Sequence, residues 1–190
     1  MMHAAFLTPD QYLEIERKAG RKSEYYQGEM FAMPGASPRH GIIVINLGRE
    51  LSLQLKGKPC WTYSSDVRLL VSPGGLYTYP ALMVICDRPE YADHEKDTLL
   101  NPTVIIEVLS PSTKNYDLGV KAQLYRGLPS LREYLTVAQD SPHIEHWTRL
   151  EENRGMRSEY DDLSQSIPLP SIDCVLSLAE VYDKVDWTNV

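Results

Sequence analysis

Apolar and polar positions alternate along this chain in two periods, and the changes of period mark the elements. Thr8-Pro9-Asp10 opens a first helix: Thr8 can cap, Pro9 suits the first helical position, and Asp10 favours the positive helix end. Ala19-Gly20 closes it. Lys22 to Met33 reads as two β-rich pieces around a hairpin turn at Gln27-Gly28. Ser37-Pro38 starts a second helix, with Ile42, Ile43, Ile45, Leu47, Leu51, Leu53 and Leu55 giving it broad apolar content, and Lys56-Gly57-Lys58-Pro59 ends it. A strand over Trp61 to Val71 and another over Leu76 to Cys86 flank a turn at Pro73-Gly74-Gly75. Pro80 breaks the second of these, so its firm part starts near Leu82. Alternation puts Ala81, Met83 and Ile85 on one face and Leu82, Val84 and Cys86 on the other.

Asp87 to Leu100 is a charged loop. Thr103 to Ser110 follows, a β-branched run bounded by Asn101-Pro102 and Pro111, as expected of a strand buried on both faces. A helix is expected from about Asn115 to Arg126, with strands at Glu133–Val137, Ile144–Leu150 and near Met156–Tyr160. A loop at Pro168 and Pro170 and a short helix around Leu178–Val185 end the pattern. The order is mixed α/β: a central sheet with helices on its faces, in one domain over residues 1–190.

One residue disturbs this pattern. Glu107 sits inside the Thr103–Ser110 run, sharing a face with Ile105 and Leu109. A carboxylate is almost never fully buried unless it is paired or holds a metal. Either Glu107 escapes at the strand end or a positive group meets it. Asp117 and Lys121 lie four apart on the next helix, hence on one side of it, and that side can cover the sheet near Glu107. The alternative for this pair is an ordinary surface contact.

Charge and cysteines narrow the partners. The formal net charge of −7 disfavours nucleic-acid binding through bulk charge, so such binding requires a local patch, for which Lys114, Lys121 and Arg126 are candidates. Cys60, Cys86 and Cys174 are odd in number and far apart, which argues against a disulfide framework or a zinc ribbon and for a reducing, cytoplasmic setting. No stretch is apolar enough to span a bilayer, so no membrane partner is expected. His143 and His146 would point to opposite faces of a strand and cannot easily share an ion. Asp66 reads as a turn residue or a partner of Arg68.

Several segments together resemble the Uma2 family, also called DUF820. They are Glu107-Val108-Leu109-Ser110-Pro111-Ser112-Thr113 followed by Asp117, Lys121 and Tyr125; Ser65-Asp66-Val67-Arg68 followed by Tyr79-Pro80; and Ser23 to Met30. Ser37-Pro38-Arg39-His40, Arg132-Glu133-Tyr134-Leu135 and Leu176 to Tyr182 extend the likeness over nearly the whole chain. That family is similar to the PD-(D/E)xK restriction endonucleases. The resemblance implies a restriction-endonuclease-like fold and a Mg²⁺- or Mn²⁺-dependent endonuclease acting on nucleic acid, DNA in preference to RNA. It implies metal ligation by Glu107, by the Val108 carbonyl and by an Asp following Pro80. It assigns Lys121 to the attacking water and the phosphate, and it brings Asp117, Glu24 and His40 to the site. A homodimer is left open.

Position 81 departs from this pattern. The family motif is Pro-Asp, whereas this chain has Pro80-Ala81, and alanine cannot ligate a metal. Asp87 lies about 20 Å further along an extended strand and cannot substitute. Two histories fit: engineered inactivation of a working nuclease, or a natural member that has lost cleavage and kept a binding or regulatory role. An acidic scaffold that touches no nucleic acid is the third reading. Little or no cleavage is expected from the chain with Ala81.

Overall fold

The fold is described from a computed structural model, over residues 6–72, 75–111, 113–151 and 154–188. The first five residues, the Pro73-Gly74 part of one expected turn and Ser112 of the family motif lie outside the described residues.

The element that places Glu107 is β8 (Val104–Leu109), and all six of its residues are buried. It lies inside a six-stranded sheet of spatial order β11 (Arg154–Tyr160), β10 (Ile144–Glu151), β9 (Glu133–Ala138), β8, β6 (Leu82–Cys86) and β3 (Cys60–Ser64). β8 and β9 run parallel while the other neighbours are antiparallel, so the sheet is mixed, as expected. Neighbours on both sides and packed layers on both faces explain the unbroken β-branched run of β8.

The alternation of β8 sends its residues into two different cores. Val104, Ile106 and Val108 pack with Ile43, Leu47, Leu51 and Leu55, the last lying just past the end of α2 (Pro38–Gln54). These four recur every four residues, the helical spacing that builds one buried stripe. Each such Leu or Ile contributes about 1.5–3 kcal/mol when fully buried. Ile42, Ile45 and Leu53, also part of the apolar content of α2, are exposed. The hairpin β12 (Ser166–Leu169) and β13 (Cys174–Ser177), followed by α5 (Leu178–Val181), completes this core. On the opposite face Ile105, Met83, Ile85 and Tyr134 pack against Ala122 and Tyr125 of α4 (Ala122–Arg126).

A five-stranded sheet forms the other wall of the molecule. Its order is β2 (Glu29–Ala32), β1 (Ser23–Tyr26), β5 (Leu76–Thr78), β4 (Arg68–Val71) and β7 (Thr98–Leu99). The β1–β2 turn is the expected one: Gln27 and Gly28 have φ of 50° and 91°, the double left-handed geometry of a tight hairpin. α1 (Pro9–Glu16) is held by a capping box between Thr8 and Gln11 and buries Tyr12 against Tyr25 and Tyr77.

The structure corrects several expectations. The strands expected over 61–71 and 76–86 each split between the two sheets, the second at Tyr79-Pro80-Ala81. Proline there ends the ladder of β5, and the chain bends into β6. Ala81 therefore precedes β6 and packs with Leu82 and Val84, not on the face of Met83 and Ile85. The charged loop contains β7, and Pro168 lies inside β12, where a two-stranded hairpin tolerates a residue without an N–H. The helix expected over 115–126 is interrupted: α3 (Lys114–Tyr116) runs into a π-helical turn, Asp117–Lys121, and then α4. Cys60 and Cys86 are joined by a disulfide, because they stand directly opposite each other on β3 and β6; Cys174 is free and buried. Wide sequence spacing is no bar to this bond, since antiparallel pairing of β3 and β6 brings the two cysteines together. Among the described residues no helix is long and apolar enough to cross a membrane.

Candidate functional site

Four elements converge on one ammonium group. Glu107 points from β8 to the side covered by the π turn and α4, where its Oε1 lies 2.9 Å from Lys121 Nζ. Lys121 also donates to Glu24 Oε1 of β1 at 2.9 Å and lies 3.5 Å from Asp117 Oδ1. The Tyr125 hydroxyl donates to Glu107 Oε1 at 2.7 Å, and the Ala81 N–H donates to Glu107 Oε2 at 3.2 Å. The Thr78 hydroxyl donates to Glu24 Oε1 at 2.5 Å, and the Tyr134 hydroxyl holds the Asp117 carbonyl at 3.1 Å.

The local sequence explains this convergence. Asp117, Lys121 and Tyr125 are spaced by four along the helical segment, so they form one stripe facing β8. The π turn spans Asp117–Lys121, and both of its end residues are buried. Wide turns of this kind often occur at functional sites. β1 brings Glu24 from the other sheet.

Glu107 is 6% exposed and Lys121 4% exposed, so desolvation is severe. Burial raises the Glu107 carboxyl above the ordinary range, with Lys121 opposing it and Asp117 adding to it. Asp117 is raised chiefly by burial as well. Burial alone would lower Lys121, but Glu107, Tyr125, Glu24 and Asp117 outweigh it and keep the ammonium charged. His40 is lowered by burial, against the pull of Glu107, and so favours its neutral form.

These groups form the floor of a cleft of about 830 Å³. One wall is the β1–β2 hairpin with Phe31 and Met33, another the loop from Pro34 to Ser37, and a third the helical segment with Thr113 and Tyr116. Such a volume suits a small molecule or a nucleotide or two.

The residues that the family resemblance brings to the site, Glu107, Val108, Ala81, Lys121, Asp117, Glu24 and His40, all line this cleft. Glu107, Lys121, Asp117 and Glu24 form the charged cluster, and Ala81 adjoins it through its backbone N–H. Val108 and His40 line the cleft, while the His40 N–H caps α2 by donating to Ser37 Oγ at 3.1 Å. Of the three candidates for a basic surface patch, Lys121 is buried, whereas Lys114 and Arg126 are exposed, the Arg126 guanidinium over the Trp147 ring. Asp66 is exposed and pairs with Lys22, not with Arg68, which pairs with Asp97. His146 is buried against Glu133, away from the cleft. The sequence alone assigns no role to Tyr125 or Thr78; Tyr125 carries a signal in its place on the 117/121/125 stripe, while Thr78 carries none.

A divalent ion does not fit the donors as they stand. Mg²⁺ asks for free, hard oxygen ligands in near-octahedral geometry. Both Glu107 oxygens already accept from Lys121, Tyr125 or Ala81, and Glu24 Oε1 accepts from Lys121 and Thr78. Among the described residues no three His, Cys, Asp or Glu side chains converge as an ion cage. The ammonium of Lys121 stands as the cation of this cluster.

Comparison with known proteins places the chain. The Uma2 family model, described as "Putative restriction endonuclease", matches residues 9–179. Two similar proteins come from Synechocystis sp. (strain ATCC 27184 / PCC 6803 / Kazusa), both named only as uncharacterized proteins. One, sll1609, is 35% identical over 153 residues, covering 80% of this chain and 86% of that protein. The other, slr1290, is 31% identical over 176 residues, covering 93% of this chain and 91% of that protein. The fold is similar to the crystal structure of a protein from Anabaena variabilis ATCC 29413 described as a putative nuclease belonging to DUF820. The TM-score is 0.75 at 17% identity, over 93% of this chain and 97% of that one. A buried Glu–Lys cluster on the expected strand and helix, a mixed sheet of the expected kind and a family match over most of the chain agree, and the protein belongs to the Uma2 family.

Proposed function

We propose that the cleft is a nucleic-acid site of the nuclease type, with one half of its catalytic pair missing. Glu107 and Lys121 are the half that remains. The observation that carries this reading is the 2.9 Å contact of Lys121 with Glu107 at the floor of a cleft that Ala81 also lines. Lys121 would meet a phosphate oxygen entering the cleft by giving up its 3.5 Å contact with Asp117, with Tyr125 and Ala81 N–H holding Glu107 in position. Asp117 and Glu24 share the ammonium and keep it oriented; neutral His40 lines the approach.

In this chain the site cleaves little or not at all. Competence for Mg²⁺ or Mn²⁺ belongs to a form with a carboxylate at position 81, where a second hard oxygen would adjoin Glu107. The test is cleavage of single- and double-stranded DNA and RNA with Mg²⁺ or Mn²⁺, by the wild type and by Ala81→Asp. Metal-dependent cleavage is expected from Ala81→Asp alone. Absence of cleavage by Ala81→Asp on all of these substrates, together with absence of DNA binding by the wild type at low salt, would support the acidic-scaffold reading instead.

The alternative on the same fold is a binding or regulatory protein with no cleavage in any form. The donors already on both Glu107 oxygens favour it over an active metal enzyme for the chain as it stands. DNA binding by the wild type with no gain of cleavage in Ala81→Asp would identify it.

A further inference from the structure

The wall beside the charged floor carries an aromatic side chain that the roles above leave unused. Phe31 is directly opposite Glu24 in the β1–β2 register, so the two side chains stand on one face of the hairpin. Glu24 reaches inward to Lys121, whereas Phe31 is 48% exposed and lines the cleft. Met33 and Pro34 extend this apolar wall. Arg21 stands at the rim, exposed, and makes no ion pair or hydrogen bond among the described residues. A cation on the floor, an apolar aromatic wall beside it and a second cation at the rim match the two-part chemistry of a nucleotide chain.

The floor is also recessed. Its groups are 4–9% exposed and are walled by the hairpin on one side and by Thr113 and Tyr116 on the other. A phosphate reaches Lys121 only on a strand that passes between these walls, and a base can lie on Phe31 only when it is free of a duplex stack. Proteins that bind single strands combine a cationic track with aromatic faces on which bases stack.

We propose that the cleft takes an unpaired nucleic-acid strand, with a base stacked on Phe31, its phosphate directed to Lys121 and the neighbouring phosphate met by Arg21. This rests on the nucleic-acid reading above and names its substrate class.

The experiment is fluorescence anisotropy at low salt with the wild-type protein, using a labelled eight-nucleotide single-stranded DNA (about one site's length) and the same sequence closed in a blunt hairpin duplex. The single strand is expected to bind at least about tenfold more tightly than the duplex. Loss of one stacking partner should weaken it roughly five- to hundredfold, so Phe31→Ala weakens binding, whereas Phe31→Trp retains it. Arg21→Gln should lower the salt slope of binding by about one. Phe31 is exposed, so these variants should keep the wild-type melting temperature, which is checked first. Equal affinity for duplex and single strand, or wild-type affinity in Phe31→Ala, overturns this inference and leaves the nucleic-acid reading standing. No binding of either probe by the wild type overturns both.

Discussion

Glu107 illustrates what one buried charge demands of its surroundings. Removing a carboxylate and an ammonium from water costs several kcal/mol per ion, repaid only by good geometry and further hydrogen bonds. Here the repayment comes from Tyr125 and the Ala81 N–H on Glu107, and from Glu24 and Asp117 on Lys121. Three carboxylates around one ammonium leave the cluster short of positive charge, which is why burial raises Glu107 and Asp117. Raised folded-state values have a definite sign. The folded protein holds these protons more tightly than the unfolded chain, so their contribution to stability is full below the ordinary carboxylate range and is lost as pH rises through the folded values. Binding of a phosphate chain follows the same direction. Acidification protonates Glu107 and Asp117 at a higher pH than ordinary carboxylates and so removes negative charge beside Lys121, which stays charged; His40, lowered by burial, gains positive charge only at more acidic pH than an ordinary histidine. Affinity for single-stranded DNA, measured at constant ionic strength, should therefore rise as pH falls. A Glu107→Gln, Asp117→Asn double variant should flatten the dependence. Affinity that falls on acidification would contradict this charge assignment.

At the scale of elements, the β1–β2 hairpin decides whether the site assembles. It carries Glu24 to Lys121 and Phe31 to the cleft wall, and its turn depends on Gly28 at a φ of 91°. A Cβ there would also come within 2.6 Å of the Phe6 ring. Gly28→Ala should destabilise the protein by about 1–2 kcal/mol and weaken DNA binding with it. Chemical denaturation followed by a binding titration checks both; unchanged stability would show that the turn is not under this constraint. The hairpin was legible in the sequence because Gln27-Gly28 sits between β-rich runs. So were β8, from its β-branched run, and the Asp117–Lys121 pairing with Glu107, from alternation and four-residue spacing. The break at Tyr79-Pro80-Ala81 was half legible. Proline announced an interruption, but the passage from one sheet to another depends on tertiary pairing that a single segment does not encode. The π turn left no signal in periodicity, since Asp117, Lys121 and Tyr125 keep the spacing of an ordinary helix. Tyr125 as a Glu107 ligand became visible only once β8 and α4 were in contact.

At the scale of the whole molecule, the cleft lies between two sheets that different parts of the chain build, and distant pairings hold these sheets in place. The Cys60–Cys86 disulfide ties edge strand β3 to β6, the strand that starts beside Glu107, across a separation of 26 residues. Closing a loop of this length contributes about 3–4 kcal/mol in the chain-entropy account. Adding a thiol-free reductant should lower the melting temperature by several degrees, and Cys174→Ala should respond in the same way. A melting curve unmoved by the reductant would contradict a stabilising disulfide. The odd count of cysteines concealed this bond because register, not spacing, pairs them. The net charge of −7 likewise concealed the site, whose cation is a single lysine buried in the interior.

The most direct measurement is metal-dependent cleavage by three proteins: the wild type, Ala81→Asp, and Ala81→Asp combined with Glu107→Gln. Each is followed with Mg²⁺ on labelled single-stranded DNA. The account predicts little or no cleavage by the wild type, clear Mg²⁺-dependent cleavage by Ala81→Asp, and its loss when Glu107 is also replaced. Cleavage by the wild type at the rate of Ala81→Asp, or cleavage that survives Glu107→Gln, would contradict it.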